Sequence, residues 1–139
     1  MSANRASLAI LVFGDQIDRV HYALVTASSA AAINQTVTLF FAGQAVRMLT
    51  RDGWHRLGPS SGGLNPSAFD QDAKNKGVAD METLIEACRE LGVSFLCCEA
   101  AARLDGIAAE DLRPDLETRI VGATTFLGSA GATGRFLSF

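Results

Sequence analysis

The run Leu8-Ala9-Ile10-Leu11-Val12-Phe13 is apolar at every position and closes on Gly14-Asp15. Side chains on a strand alternate between the two faces of a sheet, so a strand without a polar position is buried on both faces. That pattern belongs to parallel sheets covered by helices on either side, and it directs the whole reading toward an α/β fold. Residues 37–41 form a second strand and residues 93–98 a third, central one. Residues 119–121 give a short fourth and residues 135–139 a fifth that ends the sequence.

Helical stretches fall between these strands. Asp18 is placed to cap a helix over residues 19–34, which is dominated by small residues (Ala23, Ala27, Ser28, Ala30, Ala31) and suits close approach to a sheet or to another subunit. Residues 44–50 have the spacing of a short helix. Asp80 stands at the N-cap of the clearest helix, where Met81, Leu84, Ile85, Cys88 and Leu91 make one apolar stripe ended by Gly92. Cys88 on that stripe reads as a small core hydrophobe. Two further helical segments fit near residues 108–112 and 124–132. Alternation of this kind folds as a parallel sheet with helices on both faces.

A chain of 139 residues has the size of one domain, here 1–139. Periodicity is lost only over residues 52–77, which hold five glycines, two of the three prolines and the sole tryptophan, Trp54. This stretch reads as a flexible loop, either surface disorder or a lid.

Several function classes are disfavoured. No apolar run approaches the roughly 20 residues of a membrane span. A net charge of -3, with Lys74 and Lys76 the only lysines, argues against a grip on nucleic-acid phosphates. The first residues lack the pattern of a secretory signal, so the expectation is a cytoplasmic protein with reduced thiols at Cys88, Cys97 and Cys98. A metal site is not expected: there is no Cys-x-x-Cys pair, and His21 and His55 fall in a helix and in the loop. Gly128, Gly131 and Gly134 do not follow a first strand as a dinucleotide fingerprint requires, so no cofactor is expected. Asp15 and Asp18 sit where a phosphoacceptor site would place acids, but the third strand ends in cysteine where such a site wants aspartate.

Cys98 is the candidate for chemistry. It closes the third strand, and ligand sites in open parallel sheets lie beyond the carboxyl ends of the strands. If the following Glu99-Ala100-Ala101-Ala102 turns helical, backbone N–H groups and Arg103 would favour the thiolate, with Glu99 opposing them. An inert buried cysteine is the competing reading. Cys97 should point to the opposite face and is assigned to packing or an accessory role. A Cys97–Cys98 disulfide would be strained, because adjacent Cα atoms lie about 3.8 Å apart while disulfides prefer roughly 4.4–6.8 Å. A Cys–His pair would require His21 or His55 to reach Cys98 through the tertiary fold.

The segment Cys98-Glu99-Ala100-Ala101-Ala102-Arg103-Leu104-Asp105-Gly106-Ile107 resembles the cysteine segment of the DsrE/DsrF-like sulfur-relay family, where a cysteine precedes Gly-Ile by the same interval. The resemblance extends back through residues 77–93, forward through residues 121–127 to the closing strand, and so covers most of the chain outside residues 52–76. It implies a three-layer α/β/α domain with a mainly parallel sheet, associating as homotrimers or homohexamers. It also implies a sulfur carrier or sulfurtransferase that accepts sulfane sulfur as a persulfide on Cys98, exchanging it with a TusA-like carrier or a rhodanese-like protein. The extra Cys97 departs from the simplest form of the motif and leaves a two-thiol mechanism open. The alternatives are a non-catalytic ligand-binding or assembly module, and a redox switch between Cys97 and Cys98.

Overall fold

The computed structural model describes residues 7–130 and 134–139. Five strands, β1 (Ser7–Val12), β2 (Thr36–Phe41), β3 (Ser94–Cys98), β4 (Arg119–Val121) and β5 (Arg135–Ser138), form one sheet in the order β4-β3-β2-β1-β5. Every neighbouring pair is parallel. Five α-helices accompany them: α1 (Ile17–Ala32), α2 (Pro66–Asn75), α3 (Met81–Glu90), α4 (Glu99–Asp105) and α5 (Ala123–Ala130).

Strand alternation sorts the apolar residues into two cores. Leu8, Ile10 and Val12 of β1 join Leu39, Phe41, Phe95 and Cys97 on one face, packed under Ile17, Val20 and Leu24 of α1 and Met81, Leu84, Ile85 and Cys88 of α3. On the other face Ala9, Phe40 and Leu96 meet Phe126 of α5, whose ring stacks on Phe40 with centroids 4.4 Å apart. The result is the expected three-layer α/β/α arrangement with a five-stranded sheet. The small residues of α1 are used inside the chain: Ala23 and Ala27 are fully buried, and α3 comes close enough for the Cys88 thiol to donate to the Leu24 carbonyl at 3.6 Å.

Several local expectations need correction. Helix α1 starts at Ile17, with Gln16 rather than Asp18 at its N-cap. The Ile17 N–H donates to the Gly58 carbonyl at 3.0 Å, so a backbone group does what a capping side chain would have done. Asp18 lies inside the first turn and accepts from the Ser61 backbone N–H and hydroxyl. Asp80 is the N-cap residue of α3, but its carboxylate takes the Thr83 hydroxyl. The Met81 N–H donates instead to Oδ1 of buried Asp70, on α2, at 2.7 Å. Leu91 falls past the last turn of α3, before Gly92 at φ 82°, and is exposed rather than part of the stripe.

The largest difference concerns residues 52–77. This stretch holds a 3-10 turn at Gly53–Arg56 and the ten-residue helix α2. Asn65 caps α2 by accepting from the Ala68 N–H at 2.8 Å, and Pro66 fills the first helical position, where a missing N–H costs nothing. The helices expected near residues 44–50 and 108–112 are 3-10 segments, Gly43–Leu49 and Ala109–Asp111. The last residues of the helix expected over 124–132, with Gly131, lie outside the described residues.

Candidate functional site

Cys98 is the last residue of β3 and the N-cap of α4, with extended backbone angles of φ -66° and ψ 123°. The chain therefore changes from strand to helix at the residue that bears the sulfur. Gly106 ends α4 in the left-handed region at φ 71°, which glycine adopts without steric cost. The interval from Cys98 to Gly106-Ile107 is thus one short helix measured from cap to cap.

Cys98 is partly buried and lines a cleft of about 420 Å³ at the carboxyl edge of the sheet. Phe13, Ala42 and Gly43, from the ends of β1 and β2, form one side, while Cys98, Ala100, Ala101 and Leu104 form the other. Gln44 and Asp105 complete the lining, and no residue of 52–77 belongs to it. Phe13 is held by the closing residue of the chain, because both the Phe13 and Gly14 N–H groups donate to the Phe139 carbonyl at 3.0 Å. Gly43 has φ +53°, and a Cβ there would lie 2.9 Å from Cε2 of Phe13, so the ring rests directly on glycine backbone.

Two ion pairs flank the cleft. Arg47 donates from Nε and Nη2 to the two oxygens of Asp105, and those bonds hold the Asp105 carboxyl below its ordinary range. Arg103 reaches Glu99 across one turn of α4 at 3.3 Å, so the two groups expected to act on the sulfur in opposite senses face each other.

The other sequence candidates are placed elsewhere. Cys97 is fully buried in the larger core on the opposite face, and its thiol approaches the Cys98 carbonyl at 3.7 Å. Burial, assisted by Cys98, pushes the Cys97 thiol up to about 11. Burial alone pushes Cys88 up to about 12. His21 is buried with Nε2 2.8 Å from the Ala79 carbonyl and an edge against Phe69. His55 stacks on Trp54. Neither histidine lines the cleft. Among the described residues, no three His, Cys, Asp or Glu side chains gather to hold a metal, and no helix is long and apolar enough to cross a membrane.

A sequence profile of the DsrE/DsrF-like family matches residues 7–139. The chain belongs to the DsrE/DsrF-like family. One relative is the sulfur carrier protein DsrE2 of Allochromatium vinosum, 26% identical over 148 aligned residues that span 89% of this chain and 92% of the relative. Two solved structures share the fold: MTH1491 from Methanobacterium thermoautotrophicum, described as a protein of unknown function, and ychN from E. coli. The first has a TM-score of 0.64 at 14% identity, covering 96% of this chain and 99% of the other. The second has a TM-score of 0.58 at 14% identity, covering 97% and 99%. For this DsrE/DsrF-like chain, sequence reasoning singled out Cys98 but missed the Arg47–Asp105 pair and the contact of Phe13 with Gly43. Both depend on segments brought together only by the sheet.

Proposed function

We propose that this protein is a sulfur carrier in which Cys98 takes up sulfane sulfur as a persulfide and passes it to a partner. The observation that carries the reading is that Cys98 opens onto a cleft at the carboxyl edge of the sheet, while Cys97 and Cys88 are buried away from it. Membership of the DsrE/DsrF-like family and the likeness to a sulfur carrier support it.

In the proposed step the Cys98 thiolate attacks the outer sulfur of a donor persulfide. The donor S–S bond breaks, the donor departs as a thiolate, and one new S–S bond forms to give Cys98–S–SH. A partner thiolate reverses the step to receive the sulfur. No outside oxidant or reductant is consumed, and the chemistry needs access and a nucleophilic sulfur rather than an acid–base dyad. The proposed partner is a TusA-like carrier or a rhodanese-like protein, and the proposed assembly is a cytoplasmic homotrimer or homohexamer.

The test is intact-mass spectrometry after exposure to an uncharged alkyl persulfide generated in situ. The protein should gain one sulfur, reversible by a thiol reductant. Cys98→Ser should gain none, and Cys97→Ser should gain as the native protein does. Sulfur retained by Cys98→Ser would overturn the assignment.

A further inference from the structure

We infer that the Cys98 cleft selects a persulfide presented on an uncharged, aliphatic segment of a partner protein and discriminates against anionic sulfur donors such as thiosulfate. The inference rests on the reading of Cys98 as the sulfur-bearing residue and adds the chemistry of what approaches it.

The walls carry the argument. Phe13, Ala42, Ala100, Ala101 and Leu104 present hydrocarbon, and Gln44 is the one neutral polar side chain among the lining residues. Among the described residues Asp105 is the only charged one in the lining, and its two oxygens are already engaged by Arg47. Arg103, the nearest cation along α4, is tied to Glu99. An anion entering the cleft would shed water and find no cationic side chain among the described lining residues to replace it, the backbone N–H groups that open α4 being the one positive feature there. The contrast with the adjoining cleft on the far side of Asp105 is sharp, since Arg51, Asp52, Arg56 and Asp111 line that one. Among the described residues, four charged side chains join Asp105 in lining that neighbouring cleft, whereas Asp105 alone is charged in the lining of the one that holds the sulfur.

The rim argues for a protein segment rather than a small molecule. Leu104 is 90% exposed and Phe13 64% exposed, so hydrocarbon continues outward past the mouth of the cleft. A small donor seated at the sulfur would leave that surface in water, whereas a loop carrying leucine-like side chains on either side of its cysteine would cover it.

The experiment uses the full chain and three capped tripeptides, Leu-Cys-Leu, Glu-Cys-Glu and Lys-Cys-Lys, each with its cysteine activated as a thiopyridyl mixed disulfide. Release of thiopyridone is measured for the protein and normalised, peptide by peptide, to the rate with the free thiol of N-acetylcysteine amide. The leucine peptide should react at least about tenfold faster than the glutamate peptide after normalisation, with the lysine peptide between them. Cys98→Ser should abolish all three. Leu104→Lys, at an exposed position that folding does not use, should narrow the gap between the leucine and glutamate peptides. Equal normalised rates, rates fastest for the lysine peptide, or a gap unchanged by Leu104→Lys would overturn the inference. No sulfane sulfur is used, so the two readings fail separately. Selectivity without any sulfur gain by mass sinks the relay, and sulfur gain without selectivity sinks only this inference.

Discussion

Arg47 and Asp105, 58 residues apart in the chain, meet through two parallel hydrogen bonds, Nε to Oδ2 at 3.0 Å and Nη2 to Oδ1 at 2.8 Å. The pair ties the end of α4 to the 3-10 segment Gly43–Leu49, and so joins the two sides of the Cys98 cleft. Both side chains are partly shielded from water and the geometry is bidentate, which makes this fork stronger than a fully exposed pair. Arg47→Ala should lower unfolding stability in urea by about 1–2 kcal/mol. The pH dependence has a definite sense. Arg47 lowers the Asp105 carboxyl below its ordinary 3.8, so the stabilisation is complete above that value and is lost as pH falls through the lowered one. The difference between native protein and Arg47→Ala should therefore be full at neutral pH and shrink under strong acid.

Thiol alkylation separates the three cysteines. With iodoacetamide near neutral pH the native protein should acquire one adduct, at Cys98, because burial holds Cys97 up to about 11 and Cys88 up to about 12. Cys98→Ser should acquire none in the same interval, and all three cysteines of the native sequence should react in urea. Peptide mapping that finds Cys97 modified first would contradict the placement of the two side chains.

Gly43→Ala tests the floor of the cleft. The new methyl meets the Phe13 ring at 2.9 Å from a backbone held at φ +53°, so the variant should lose about 1–2 kcal/mol of stability. Displacement of the ring should also slow alkylation of Cys98. Adding Phe13→Ala should restore the alkylation rate without restoring the backbone contribution.

Trp54 reports on a network outside the cleft. Its indole N–H donates to Glu82 at 2.8 Å, and Arg113 binds both oxygens of Glu82 at 3.1 and 3.0 Å while also holding Asp115. Glu82→Ala strands the buried indole N–H and should cost about 1–2 kcal/mol. Glu82→Gln keeps an acceptor for Trp54 and should cost about half as much. Tryptophan fluorescence during urea unfolding reads both, since Trp54 is the only tryptophan in the chain.

The central strands were legible because β1 contains almost nothing but hydrocarbon, and α3 because its stripe keeps the helical period from Met81 to Cys88. Cys98 could be placed at a strand end from the same pattern. Helix α2 was hidden by the glycines around it, although Asn65-Pro66 is a start signal with a clear mechanism. The cap that Asp70 gives to α3, the Gly58 carbonyl that replaces a cap on α1 and the Arg47–Asp105 fork were not legible. Each joins residues that only the folded chain brings together, and none leaves a periodic trace.

The pleat of β3 sets Cys97 and Cys98 back to back, one thiol facing the α1–α3 side and the other the cleft. For cargo held on Cys98, the most dangerous nucleophile would be the thiol next door, whose attack on the inner sulfur would expel hydrosulfide and discard the load. Two residues that adjoin along the chain are thereby given unlike surroundings, and in the proposed relay the burial that pushes the Cys97 thiol up to about 11 keeps it from competing for the load.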